Sequence, residues 1–394
     1  MRIAFLTSGG IAPCLSSSIG MLIKEYLKIN NEFEFFGYLN GYKGLLKGEK
    51  ITIPKNVDFD ILNTFGGSFL GNSRVKLTNI NDCIENNYIK SGSIPLEVAA
   101  NQLKEDRIDV LHTIGGDDTN TTAGDLVEFL LSKNYSLSVV GLPKTIDNDV
   151  NPIEQTLGAY TAAENASTFF NNIVNENTTS SRQLIIHEVM GKNCGWLTAY
   201  SAFLYKKSLK LKKFIPELNI YRNKWDIHAI YIPEVAFNLD KEVRRLMKIM
   251  DKFDCVNIFL SEGAGLDSII NEKIRNGENI PKDAFGHTRL DEINPGQWFA
   301  KYFKSELNCD KVLVQKSGYY SRSASPNKLD LELINNTAIA AVEASTSKKS
   351  GVVGLRSDTQ RIELINFKEI KGGKQFNPSS EWFQEMLTEI DSDY

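Results

Sequence analysis

Short apolar runs recur along this chain, each closed by glycine or a polar turn and followed by a stretch with helical periodicity. RIAFL (2–6) leads through TSGG into the amphipathic segment SSSIGMLIKEYLKI (16–29). FEFFGYL (33–39), IDVLHTI (108–114), LSVVGL (137–142) and QLIIHEV (183–189) continue the series, and IHAIYI (227–232), CVNIFL (255–260) and KVLVQK (311–316) complete it. Apolar, β-branched runs of this length, bounded by turn residues, read as buried strands. Strands alternating with helices predict an α/β fold, with parallel sheets covered by helices on both faces. In such sheets ligands gather at the carboxyl ends of the strands. Unusual residues follow Leu6, Ile114, Leu142, Val189 and Leu260, which are five such ends.

Length and composition narrow this picture. A chain of 394 residues favours two domains over one. With 42% apolar and 24% charged residues, an ordered globular protein is expected. No repeat and no low-complexity segment interrupts it. The net charge of −4 argues against a nucleic-acid coat, so an anionic ligand must be held by a local cluster of Lys, Arg and backbone N–H groups. MRIAFLTSGG lacks the features of a signal peptide, and no apolar run approaches the ~18 residues of a membrane span. Five cysteines (Cys14, Cys83, Cys194, Cys255, Cys309) without a CxxC pair suggest reduced thiols and a cytoplasmic enzyme. KKSLKLKKF (206–214) reads as a solvated helix face or loop. The tail from Phe367, with turn glycines and an aromatic-bearing last helix, reads as packing.

The candidate chemistry begins at IGGDDTNTTAG (114–124). Paired glycines at a strand end suit a phosphate loop, yet Asp117 and Asp118 would repel a phosphate unless a cation lies between them. TSGGIAPC (7–14) is a second Gly-Gly turn, whose free N–H groups suit phosphate oxygens. GGSFLGNSR (66–74) ends in Arg74, a candidate phosphate clamp. LPKTIDND (142–149) is the most informative stretch, with the cation of Lys144 followed by Asp147 and Asp149. One carboxylate there can take a proton from a hydroxyl while others hold Mg2+. With Asp117 and Asp118 at a neighbouring strand end, a metal–phosphate site is the better explanation than an Asx-rich turn. HEVMGKNCGWLTA (187–199) sets Lys192 between Gly191 and Gly195 at a helix start, which suits a sugar phosphate. His187, inside an apolar strand, is expected to be a satisfied core histidine, and Cys194 has no base beside it to make it a nucleophile. SEGAG (261–265) offers Glu262 to sugar hydroxyls, and SGYYSRSA (317–324) offers Tyr319 and Arg322 to a phosphate.

These motifs together resemble the phosphofructokinase family, specifically its pyrophosphate-dependent branch. The resemblance runs from TSGG through GGSFLG, GGDD, PKTIDND, MGKNCG, PEV (233–235), SEG and GYYSR, most of the chain. It implies two similar three-layer αβα domains with the active site in the cleft between them. Residues 1–158, with a return near 325–370, would form the phosphoryl-donor domain. Residues 159–324, with 371–394, would form the sugar-phosphate domain. It also implies reversible phosphoryl transfer from pyrophosphate to the 1-hydroxyl of fructose 6-phosphate, with Asp147 as general base and Asp117 holding Mg2+. ATP-using members carry Gly where Asp118 and Lys144 stand, so Asp118 would exclude a nucleotide's α-phosphate while Lys144 binds pyrophosphate and steadies the transition state. Gly10, Arg74, Thr145 and Ile146 would complete the donor side. Met190, Gly191, Lys192, Glu262, Tyr319, Tyr320, Ser321 and Arg322 would hold the sugar phosphate. A homo-oligomer, a dimer in the first instance, is implied too, although the arginine that crosses subunits in ATP-using members has no matched position. Arg182, Lys311 and Lys316 are the candidates for it.

Three features depart from the family pattern. Cys14 stands where a glycine is common, Lys192 replaces a more frequent arginine and so a bidentate fork becomes a point charge, and an added segment carries His287 and Arg289, a rival to the Tyr319–Arg322 pair. The alternatives are an ATP-dependent phosphofructokinase, a kinase of another sugar phosphate, a silent regulatory subunit, and a lipid or NAD kinase. The intact Asp147 argues against the silent subunit, and PKTIDND with MGKNCG argues against the last.

Overall fold

The computed structural model describes residues 1–278, 280 and 293–392. The chain runs β1 (Arg2–Thr7), α1 (Leu15–Ile29), β2 (Glu34–Tyr38), α2 (Tyr42–Lys47), β3 (Lys50–Ile53), α3 (Ile80–Glu85) and α4 (Pro95–Glu105). Next come β4 (Val110–Gly115), α5 (Asp117–Ser132), β5 (Ser138–Pro143), the short β6 (Val150–Asn151) and β7 (Ile153–Gln155), and α6 (Ala159–Ile173). β8 (Gln183–Val189), α7 (Trp196–Leu211), β9 (Ala229–Tyr231), α8 (Leu239–Phe253), β10 (Cys255–Ser261) and α9 (Leu266–Arg275) follow. The last described stretch holds α10 (Pro295–Glu306), β11 (Lys311–Lys316), α11 (Gly318–Arg322), α12 (Lys328–Thr346), β12 (Gly351–Arg356), β13 (Ile362–Ile365), β14 (Lys371–Gly372) and α13 (Glu381–Ser392).

These elements fall into two compact units. Residues Met1–Ala162 with Arg322–Lys374 form the first, and Ala163–Ser321 with Gln375–Tyr394 form the second. In the first, strands order β13-β12-β5-β4-β1-β2-β3, with β7 also on β12. β12, β5, β4, β1 and β2 pair in parallel, so their carboxyl ends share one edge. β4 and β5 are buried at every position, as strands covered by helices on both faces must be. The second unit holds a parallel four-stranded sheet, β11-β8-β10-β9. An α/β fold with helices on parallel sheets is therefore the architecture of both units.

Local chemistry explains several element ends. α5 begins directly after the Gly115–Gly116 turn with Asp117 and Asp118 in its first turn, where carboxylates complement the positive end of the helix dipole. The Asn120 side chain donates back to the Gly115 and Gly116 carbonyls. Asn238 caps α8, and Asp254 ends it in the left-handed region. The fully buried Asp330 accepts from the backbone N–H groups of Gly158 and Thr161, which secures the start of α6 across 172 residues of sequence. Among the described residues no helix is long and apolar enough to cross a membrane.

Two expectations need correction. Lys206, assigned to a solvated face, is buried and pairs with the equally buried Asp226 at 2.9 Å. The rest of that run is exposed or half-buried apart from Leu209, so the turn of α7 alone brings this one lysine inward. His187 is a core residue as expected, but among the described residues neither ring nitrogen has a hydrogen-bond partner. Its ring packs among Phe170, Phe259 and Phe169, and burial holds its pKa down to about 3, so the imidazole is neutral. His287 and Arg289 lie outside the described residues.

Candidate active site

In the first unit, three adjacent parallel strands deliver the predicted residues to one edge. Register pairs Thr7 with Ile114 and Gly115 with Pro143, so the Ser8–Gly10 turn, the start of α5 and the Lys144 loop emerge side by side. Lys144 is buried, and its ammonium donates to the Gly10 carbonyl at 2.7 Å. Gly9, at φ +82°, leaves room for it, since a Cβ there would lie 3.2 Å from Lys144 Nζ. Burial pushes the Lys144 pKa down to about 8, and the charges of Arg322 and Arg74 press it the same way, while Cys14 and Asp147 oppose them. Arg322 lies across the same turn. It donates to the Ile11 carbonyl at 3.1 Å, and its guanidinium occupies the space a Cβ at Gly10 would need. Arg74 is exposed and forms no ion pair among the described residues. Two cations thus meet at the Gly9–Gly10 turn, and the Arg74 charge acts on Lys144 as well. Such an arrangement can hold a polyanion and little else.

The carboxylates stand next to this cluster. Asn148 adopts a left-handed conformation at φ 56°, which few residues other than Asn and Gly accept. Its buried amide fixes the turn by donating to Glu154 O and accepting from Thr156 N. The flanking Asp147 and Asp149 are thereby held in place, with Thr145 Oγ1 accepting from the Asp147 N–H. The Ile146 side chain is buried, leaving its backbone for any ligand contact. Burial raises the Asp149 pKa, and the nearby Asp117 charge raises it further. Asp117 rests against Gly372, where any Cβ would come within 2.0 Å of its carboxylate. Two neighbouring carboxylates suit a divalent cation. Among the described residues no three His, Cys, Asp or Glu side chains gather into a cage. Mg2+ needs none, because it takes one or two carboxylates and fills its shell with phosphate oxygens and water.

Asp118 faces a cation that sequence reasoning did not name. Lys76 Nζ lies 2.8 Å from its carboxylate, with both side chains largely exposed. Lys76 follows Arg74 by two residues in the same loop, yet nothing in the sequence ties it to a residue 42 positions on. Lys76 gives Asp118 a positive partner of its own, separate from the Lys144 cation expected between the carboxylates and a phosphate.

The second unit brings together the other predicted group. Ser261 pairs with Val189, so the loops after β8 and β10 adjoin. The Gly191 N–H donates to Glu262 Oε1 at 3.1 Å, and Ser261 Oγ donates to the Gly191 carbonyl at 2.6 Å. Gly263 is required because a Cβ would strike the Lys192 carbonyl at 1.7 Å. Met190 packs on Gly318. Glu234, part of PEV, was given no role by sequence, but its carboxylate accepts from the N–H of Gly195, the cap of α7, and from that of Phe376. Tyr319 is 76% exposed. Tyr320 is 48% exposed with its ring tilted against Phe169, whereas Ser321 is buried and packs against protein. Ser321 closes the second unit and Arg322 opens the return of the first, so the Tyr319–Arg322 motif is shared by both. Arg182, Lys311 and Lys316 all have partners within their own unit, at Asp251, Glu176 and Glu188. Cys194 is buried.

In each unit the parallel strand ends carry their own polar loops, a cation-lined glycine turn with two carboxylates in the first and the Gly191–Glu262 loops in the second, on a doubly wound α/β scaffold. Residues 2–345 match the phosphofructokinase family, and the chain belongs to it. It is 50% identical over 392 residues to the pyrophosphate–fructose 6-phosphate 1-phosphotransferase of Methylomonas methanica, covering 99% of this chain and 96% of that one. The enzyme of the same name from Mastigamoeba balamuthi is also 50% identical, over 98% and 95% of the two chains. The crystal structure of a pyrophosphate-dependent phosphofructokinase from Marinobacter aquaeolei superimposes with a TM-score of 0.73 at 21% identity, covering 99% of this chain and 91% of that one, a likeness of fold.

Proposed function

We propose that this enzyme transfers a phosphoryl group from pyrophosphate to the 1-hydroxyl of fructose 6-phosphate, reversibly, giving fructose 1,6-bisphosphate and phosphate. Half the residues of full-length relatives bearing that name are identical here. The observation that carries the donor assignment is Lys144, buried at a strand end and hydrogen-bonded across the Gly9–Gly10 turn, with Asp118 at the start of the next helix.

The first unit is the donor side. Lys144, Arg74 and the Gly10 turn bind pyrophosphate, and the backbone of Thr145 and Ile146 leads it toward Asp147. Asp147 takes the proton from the sugar's 1-hydroxyl oxygen as that oxygen bonds to phosphorus and the bridging P–O bond breaks. Lys144 then stabilises the charge that develops on the departing phosphate. Mg2+, held at Asp117 beside Asp149, would neutralise the pyrophosphate oxygens. The second unit takes the sugar phosphate through the Met190–Lys192 loop, Glu262 and Tyr319, with Arg322 on its 6-phosphate. Five free, buried cysteines suit a reducing cytoplasm, and the family resemblance supports a homo-oligomer, a dimer in the first instance. Steady-state assays of the purified protein with pyrophosphate and with ATP test the reading. Turnover with pyrophosphate and little with ATP is expected, and a preference for ATP would overturn the donor assignment.

A further inference from the structure

α2, α3, α4 and the loop between the last two enclose a pocket of about 640 Å3 in the first unit, within the roughly 300–1,000 Å3 typical of small-molecule sites. None of the residues assigned above lines it. Asn87, Lys90, Ser91 and Ser93 make one part of its lining polar, and the rest is apolar. Leu46 and Ile89 belong to the buried core of this unit, and Ile84, Tyr88 and Val98 pack on that core while staying partly open. Lys90 lines it, and two further cations stand against its Tyr88 wall. Lys43 and Lys47 lie one helical turn apart on α2, outside the lining itself, and their ammonium groups sit 5.8 and 5.7 Å from the centroid of the Tyr88 ring. Among the described residues, none of the three lysines forms an ion pair or a side-chain hydrogen bond, and no Asp or Glu lines the cavity.

Lysines over an aromatic ring gain from the ring quadrupole and keep their heads in water. Two ammoniums held by one ring nonetheless repel each other, and a bound anion relieves that repulsion. The apolar walls give an organic body a place that a bare phosphate cannot use. We propose that this pocket is a second ligand site, which takes a small amphipathic organic anion with its carboxylate or phosphate at Lys43 and Lys47 and its apolar body against Leu46, Ile84, Ile89 and Val98.

Calorimetry on the intact enzyme tests this, with the active site occupied by fructose 6-phosphate, Mg2+ and imidodiphosphate. The probes are 2-naphthoate, the uncharged naphthalene-2-methanol and inorganic phosphate. The expected order is 2-naphthoate with a Kd of about 1 mM or below, and the alcohol and phosphate at least tenfold weaker. The double variant Lys43→Ala/Lys47→Ala, which replaces two helix formers with another and should keep its melting temperature, should bind naphthoate no better than the alcohol. Equal binding of naphthoate and the alcohol would overturn the proposal. So would phosphate binding as tightly as naphthoate, an unchanged naphthoate Kd in the double variant, or no naphthoate binding at several times the expected Kd.

Discussion

Replacing Asp118 with glycine should open the donor site to ATP, and the structure sets the size of the effect. Two unit charges 4 Å apart repel by ~1 kcal/mol in water and by ~4 kcal/mol at the effective dielectric of a protein surface. The Asp118 side chain is 65% exposed and already paired with Lys76 at 2.8 Å, so its repulsion of an α-phosphate belongs near the lower figure. We therefore expect ~1–2 kcal/mol of exclusion, and a rise of roughly 5- to 30-fold in kcat/KM for ATP on Asp118→Gly. The substitution also places glycine in the first turn of α5 and removes a carboxylate from its positive end, together costing about 1–2 kcal/mol of stability. A coupled aldolase assay run with each donor, beside a melting curve, separates the two consequences. Lys76→Ala should act in the opposite sense, since an uncovered carboxylate repels a nucleotide more. If folded Asp118→Gly shows no gain with ATP, or Lys76→Ala shows one, the electrostatic exclusion is wrong.

Asp147→Asn should preserve the turn fixed by Asn148 and lower kcat at least ~10²-fold with KM little changed, and near-full turnover would remove Asp147 from the role of base. Arg322→Ala should raise the KM for fructose 6-phosphate by roughly 1.5–3 kcal/mol. If the KM for pyrophosphate rises instead, the contact of Arg322 with the Gly10 turn marks it as a donor residue, and Arg289→Ala becomes the test of the rival sugar-phosphate pair. Lys144 titrates at about 8 in the folded protein, against an ordinary value of 10.5. Pyrophosphate needs the protonated form, so kcat/KM for pyrophosphate should be level below pH 8 and fall above it, and Lys144→Arg should abolish that limb. Stability should run the other way. The unfolded chain binds more protons between about 8 and 10.5, so denaturant midpoints should rise with pH across that window, and a fall there would contradict a buried Lys144.

Much of the fold was legible because its signals are local. QLIIHEV and KVLVQK are the observed β8 and β11 to the residue, the first buried at every position and the second a partly exposed edge strand, because short runs rich in β-branched and apolar residues bounded by polar turns mark strands of either kind. The start of α5 was equally plain, because paired glycines followed by carboxylates match what a helix N-terminus accepts. Lys206 and His187 were misread for a common reason. Whether a lysine turns inward, or a histidine finds partners, depends on what another element places opposite it. Asp226 in one case and a trio of phenylalanines in the other are set by packing.

The sequence by itself determined which strands end in unusual polar residues, and it singled out Lys144, Asp117, Asp118 and Asp147 as the candidates for a polyanion site. Composition and motif spacing suffice for that, because each short stretch carries its own turn chemistry. Tertiary structure alone decided the pairings. The order β5-β4-β1 sets Lys144 beside the Gly9–Gly10 turn, although 134 residues separate it from Gly10. Arg322 reaches the same turn from 311 residues beyond Ile11, Lys76 meets Asp118, and Glu234 caps α7. Contacts of this kind follow from strand order and helix packing, which are settled by the burial of whole faces. No local pattern records them.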